Sequence, residues 1–161
     1  MLTVAEIAAF LEQYAPSRLA ADWDNVGLLV GDRSQSVQRV MTCLTITPTS
    51  AAEAIDERAD LIVTHHPLPF RALKRLTRDT TVGRLLLDLI AARISVYSPH
   101  TSMDSAPTGI NQRLAQSLKL DEIAPLVPDP QGQGAGRFGR LPSPITLGEM
   151  ADRVKSFLAI E

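Results

Sequence analysis

The stretch DLIVTHHPLPF, residues 60–70, decides the fold. Leu61, Ile62 and Val63 form a short, wholly apolar run between Asp60 and the tandem His65-His66. A run this short without alternation fits a β-strand covered on both faces, as in the parallel sheets of α/β proteins. The chain has three histidines, and two of them stand side by side here. Successive strand residues point to opposite faces, so two neighbouring imidazoles converge only where the strand has ended. Pro67 supports such an ending, because it restricts His66 to an extended or turn conformation.

Outward from this stretch, strand and helix signals alternate. Thr3 and Glu6 make a capping-box pattern, followed by Val4, Ile7, Ala8 and Leu11 at helical spacing, with Pro16 closing the helix. Residues 26–30 predict a strand between Asn25 and Gly31, and residues 39–46 a second one. Thr47-Pro48 opens a helix, with Ser50 and Glu53 as a rival start. Residues 80–92 predict an amphipathic helix, 94–98 a fourth strand and 109–118 another helix. Residues 128–144, rich in Pro, Gly and Gln, read as a loop or linker with a short strand near 137–141. Thr146 and Glu149 repeat the capping box and start a last helix running to about residue 158. The expected organisation is an α/β metal-site domain over 1–127, a linker over 128–144, and the start of a second segment over 145–161. The fold class is α/β: a layered fold with a mostly parallel mixed sheet flanked by helices.

Composition narrows the function classes. The 161 residues are 45% hydrophobic and 21% charged, with net charge −2. Neither a nucleic-acid partner nor an anionic membrane surface is indicated, although a charge sum does not see a local basic patch. The single cysteine, Cys43, excludes an internal disulfide and a cysteine-rich zinc site, and its strand context reads as a buried, inert thiol. No apolar run reaches the roughly 20 residues of a membrane helix. The opening MLTVAEIAAFLEQY lacks the early basic residues of a signal peptide. A reducing, cytoplasmic location is the expectation.

In an α/β sheet the chemistry gathers beyond the carboxyl ends of the strands. His65 and His66 lie there, and so do His100 and Asp104, in a loop after the strand over 94–98. If the two strands are neighbours, the four side chains meet in one cleft. Imidazoles with a carboxylate suit a divalent transition metal: zinc, manganese, iron, nickel or cobalt. A pair of such ions roughly 3.5–4 Å apart can activate a water. The plainer alternative is a set of hydrogen-bonding or capping residues. GAGRFG, residues 134–139, matches G-x-G-x-x-G but follows no convincing strand and precedes no helix, so its glycines read as a mobile turn. Arg137 and Arg140 read as surface residues, Trp23 as a packing anchor and Asn25 as a turn former. No nucleophile elbow or P-loop is present.

LAADWDNVGLLVGD, DLIVTHHPL, SVYSPHTSMDSAPTGIN and GRFGRLPSPITLGEMADRVKSFL occur in the order expected of the Nif-three-like family. This combination of blocks resembles that family over nearly the whole chain. Its members are often named GTP cyclohydrolase I type 2 homologues. The resemblance implies a dinuclear metal centre, with up to two ions per chain in the intact family, on an α/β fold that is often a toroidal hexamer. It carries the metal ligands onto His65, His66 and Asp104, with His100 lining the site. It also implies a metal-dependent hydrolase with a purine nucleotide such as GTP as substrate. The alternatives are a non-catalytic metal-binding or trafficking protein, a ring-forming interaction scaffold, and an inert piece with unpaired sheet edges.

Two departures from the family pattern stand out. The family completes its site with a histidine and a glutamate four residues apart near the C-terminus, whereas no histidine follows His100 here. The expectation is therefore an N-terminal part of a family member, binding metal weakly or binding one ion unless a partner chain contributes donors. The family also tends to carry an aspartate where this chain has Thr45.

Overall fold

The computed structural model describes residues 1–160. In chain order the elements are β1 (Leu2–Thr3), α1 (Val4–Tyr14), β2 (Gly27–Val30), β3 (Ser36–Val37), β4 (Val40–Cys43), α2 (Pro48–Asp56), β5 (Leu61–Thr64), α3 (Thr81–Ala91), β6 (Ser95–Ser98), α4 (His100–Ser105), α5 (Ile110–Ser117), β7 (Asp121–Ala124), β8 (Val127–Pro128), β9 (Gly134–Ala135), β10 (Phe138–Arg140) and α6 (Leu147–Leu158). The chain divides into two compact units, Met1–Ser102 and Met103–Glu161.

The first unit is built on a four-stranded mixed sheet of order β2-β6-β5-β4. β4 and β6 flank β5 in parallel, with Met41 and Val96 opposite Ile62. β2 closes the other edge antiparallel to β6, with a register shift between Leu28 and Val30. Gly31 follows at φ 121°, where a Cβ would come within 2.1 Å of Ser95 Oγ, so both backbone conformation and space require glycine.

Strand β5 shows why the apolar run carried the fold. Ile62 packs with Leu85, Leu86 and Leu89 of α3, Ala51 and Ala54 of α2, and Val96. Leu61 and Val63 pack on the opposite face with Val4, Ile7, Ala8 and Leu11 of α1 and with Tyr97. Both faces of the strand are therefore covered, and alternation has nothing to report. Leu89 is wholly buried; burying such a side chain is worth about 1.5–3 kcal/mol.

The helix starts follow local chemistry. Glu6 Oε2 accepts the Thr3 N–H at 2.8 Å while Thr3 Oγ1 accepts the Glu6 N–H, completing the box at α1. Thr47 caps α2 with Pro48 in its first turn, and Ser50 returns the bond as third helical residue, so the rival start is not used. Strand β4 ends at Cys43, short of the expected residue 46, and Cys43 is half-buried against the core. The segment expected as a loop at 100–105 is the helix α4; six residues are too few to display a helical period.

The second unit holds α5, α6 and two small antiparallel pairs, β10 with β7 and β8 with β9. Within residues 128–144, Pro128, Gly134–Ala135 and Phe138–Arg140 are strand residues, the last lying within the short strand expected near 137–141, and the rest is turn or irregular; Arg137 ties this stretch together. Its Nη1 donates to the carbonyls of Gly134 and Gly136 at 2.7 and 2.6 Å, and Nε donates to Gln112 Oε1 at 2.8 Å. Its Nη2 donates to the carbonyls of Ser105 and Ala106 at 3.1 and 3.0 Å. Arg137 is therefore a half-buried structural clamp and not the surface residue the sequence suggests. Burial lowers its pKa from the usual value. Two-residue strands such as β8 and β9 carry no legible alternation in sequence. Among the described residues no helix is long and apolar enough to cross a membrane.

Candidate metal centre

All three histidines of the chain meet at one end of the sheet. His65, His66 and His100 each bring a ring nitrogen to within 4.8 Å of the others. Ring centroids lie 5.1 Å apart for His65–His66 and His65–His100, and 5.7 Å for His66–His100. The cluster stands past the carboxyl ends of β5 and β6, where ligands collect in open α/β sheets.

The tandem pair escapes strand geometry because β5 stops at Thr64, yet its backbone stays pinned. The His65 and His66 N–H groups donate to the carbonyls of Cys43 and Leu44 at 3.2 and 2.9 Å, extending the parallel ladder past β4. Ser98 Oγ donates to the His65 carbonyl at 2.7 Å, and Thr64 Oγ1 to the His66 carbonyl at 3.2 Å.

His100, read from sequence as lining the site, presents a ring nitrogen to the same space as the pair. It opens α4 at φ 29°, a region costly for a residue with a side chain, by about 1–3 kcal/mol. The Asp24 carboxylate holds it there. Asp24 Oδ1 accepts His100 Nδ1–H at 2.7 Å and the Asn25 N–H at 2.7 Å. Its Oδ2 accepts the Thr101 N–H at 3.1 Å and the Thr101 hydroxyl. The Asp24 side chain is 0% exposed. Burial alone would raise its pKa, but the bonds from the Thr101 hydroxyl, His100 and the Asn25 and Thr101 N–H groups outweigh burial and hold it below the usual carboxylate range. An ionised carboxylate only accepts, so the His100 nitrogen that meets it is Nδ1–H, and in the neutral ring the Nε2 lone pair is the one available.

His66 has a weaker orienter. Thr45 Oγ1 lies 2.6 Å from His66 Nδ1. With Nδ1 engaged, Nε2 is again the nitrogen left for a ligand. Thr45 therefore does more than pack: its hydroxyl meets His66 Nδ1, the ring nitrogen not left for a ligand. Neither orienter was legible as such. The sequence reads Trp23 as a packing anchor and Asn25 as a turn former and assigns Asp24 nothing; Trp23 is in fact 65% exposed, and Asn25 Nδ2 donates to the Pro69 carbonyl at 2.7 Å.

The donor set fits a transition metal. Imidazoles with their second nitrogen bound to a carboxylate or hydroxyl are the usual arrangement of metal-ligating histidines. Ion–nitrogen distances of ~2.0–2.1 Å put tetrahedral ligands about 3.4 Å apart, which small ring rotations would reach. Asp104 is the fifth residue of α4 and belongs to the second unit. Its assignment as a ligand rests on the family motif.

An α/β unit with three imidazoles converging at parallel strand ends, two of them with Nδ1 engaged, makes this a candidate metal centre. The family model for Duf34/NIF3 (NGG1p interacting factor 3) matches residues 2–161, and the chain belongs to that family. It is 38% identical over 163 residues to the GTP cyclohydrolase 1 type 2 homolog of Clostridium acetobutylicum, covering 99% of this chain and 61% of the relative. It is 34% identical to NIF3-like protein 1 of Drosophila melanogaster, covering 84% of this chain and 48% of that protein. Reduced HcgD from Methanocaldococcus jannaschii superposes with a TM-score of 0.86 at 29% identity, covering 97% of this chain and 60% of that one. The Staphylococcus aureus protein SA1388 superposes with a TM-score of 0.85 at 25% identity, covering 98% and 66%. The chain spans about three fifths of the length of the Clostridium acetobutylicum relative and of the GTP cyclohydrolase 1 type 2 homolog of Clostridium perfringens.

Proposed function

We propose that this chain binds a divalent transition metal (zinc, manganese, iron, nickel or cobalt) at His65, His66 and His100, and that it forms part of a metal-dependent hydrolase acting on a purine nucleotide. The observation that carries the proposal is the convergence of three imidazoles, two of them with Nδ1 engaged by Asp24 and Thr45. Bound there, such an ion supplies Lewis acidity and a water of lowered pKa. The chain's own contribution is to fix the tautomer of His100 through Asp24 and the ring of His66 through Thr45. Asp104 is proposed as an oxygen donor, supported by the HTSMD block it shares with the family pattern. The names of the relatives support a GTP-like substrate, and the free thiol of Cys43 suits a cytoplasmic setting.

Metal content after dialysis, with turnover on a nucleotide panel, tests the reading. The expected result is retained metal that His66→Ala removes without unfolding the chain. Failure to bind any of the five ions at neutral pH would overturn it.

A second reading is self-assembly into a homo-oligomer, a hexamer in the family pattern, in which the centre serves binding and not catalysis. It is favoured by the edge position of β4, where Val40 is 43% exposed, and by Phe10 of α1, 64% exposed. A monomer by light scattering would remove it.

A further inference from the structure

Trp23 is the only tryptophan of the chain and, at 65% exposure, one of its most exposed aromatic side chains. Phe70 is 43% exposed. The two rings lie 6.0 Å apart, edge to face at 73°, and each stands 6.2 Å from His100. The bond from Asn25 Nδ2 to the Pro69 carbonyl ties the two loops that carry them. Large aromatic surface left in water beside polar groups marks a binding position, and every nucleobase offers a flat face to such rings.

The chain then turns basic. Arg71, Lys74 and Arg75 follow Phe70, all exposed, with no acidic residue among residues 71–75, in a protein of net charge −2. Arg78 differs, being paired with Asp88 at 2.6 Å. Exposed cations that directly follow Phe70 in the chain, with the Phe70 ring itself 6.2 Å from His100, suit one ligand, a flat base carrying a phosphate chain. A strand of nucleic acid shares that chemistry, but three cations on an otherwise acidic chain do not extend into a track for a polymer.

We infer that Trp23 and Phe70 stack the base of a nucleoside triphosphate while Arg71, Lys74 and Arg75 receive its phosphates. This inference rests on the proposed function in placing the ligand beside the histidine cluster.

The single tryptophan reports on the site directly. Metal-free protein is titrated with a purine nucleoside triphosphate, the matching nucleoside, inorganic triphosphate and a single-stranded oligonucleotide, following Trp23 fluorescence. The nucleotide is expected to change the emission saturably and to bind at least about tenfold tighter than the nucleoside, with inorganic triphosphate competing. Phe70→Ala is expected to weaken it by about tenfold. Replacing Arg71, Lys74 and Arg75 together by alanine is expected to abolish the nucleotide's advantage over the nucleoside; these exposed positions leave the fold intact. An unchanged emission, equal affinity for nucleotide and nucleoside, an indifferent triple variant, or an oligonucleotide that outbinds the nucleotide would each overturn the inference. Parallel calorimetry with zinc and manganese separates the two ideas. Metal binding without nucleotide binding defeats this inference and the nucleotide substrate but leaves the metal centre standing, and nucleotide binding without metal binding defeats the metal centre alone.

Discussion

Asp24 Oδ1 accepts the Nδ1–H of His100 at 2.7 Å, across 76 residues of sequence, from a side chain wholly removed from solvent. This bond sets which nitrogen of His100 is available. Asp24→Ala is expected to lower metal affinity by about 10–100-fold. It also leaves His100 and Thr101 donors without their acceptor, which costs on the order of 2 kcal/mol. Calorimetric titration and thermal melts measure the two effects. Undiminished metal affinity would show that Asp24 has a structural role only.

Thr45 offers a graded test. Thr45→Val keeps the shape and deletes the hydroxyl that meets His66 Nδ1. Metal affinity should fall by about tenfold, at the lower end of what such partners contribute. Thr45→Ser should retain it, and Thr45→Asp should raise it by making His66 a more basic ligand. A Thr45→Val protein that binds metal as tightly as the parent would dismiss Thr45 as an orienter.

The three imidazoles crowd one small space, so we expect one ion per chain at saturation. Elemental analysis after dialysis gives the ratio directly. Two ions retained per chain would mean further donors are recruited, and an Asp104→Asn chain tested alongside would show whether that carboxylate is among them.

Arg137 donates to four carbonyls and one amide oxygen with a planar fork. Arg137→Lys cannot reproduce that geometry. We expect either Arg137→Lys or Arg137→Ala to destabilise the second unit by roughly 2–3 kcal/mol, from the acceptors left unpaired. Faster amide exchange at Gly134 and Gly136, with the first unit's sheet unchanged, is the signature to look for.

Glu6 accepts the hydroxyl and the backbone N–H of Thr3, and Glu149 the backbone N–H and the hydroxyl of Thr146, which lowers both pKa values from the usual carboxylate value. A carboxyl with a depressed native pKa stabilises fully above its unfolded pKa and loses that contribution as pH falls through the native one. Melting temperature should therefore drop more on acidification in the parent than in a Glu6→Gln/Glu149→Gln chain. Parallel curves for the two would refute the contribution.

The sheet and the tandem histidines were legible because their signals are local. Leu61 to Val63 is apolar throughout since both faces are covered, and Pro67 marks where the strand yields. The orienters of the site were not legible, because Asp24 and Thr45 act across the fold and no spacing rule links residue 24 to residue 100. Trp23 misled for a related reason: hydrophobicity argues for burial, whereas its position beside His100 leaves it in solvent. Arg137 was hidden because its partners are carbonyls, which every residue carries.

His100 is supplied by the strand end that follows β6, and its anchor Asp24 lies before β2. During synthesis a nascent chain that has emerged only as far as His66 owns two imidazoles without the third and without the sheet that aligns them. The complete donor set proposed for an ion therefore exists only once residue 100 has been delivered and β6 has docked beside β5.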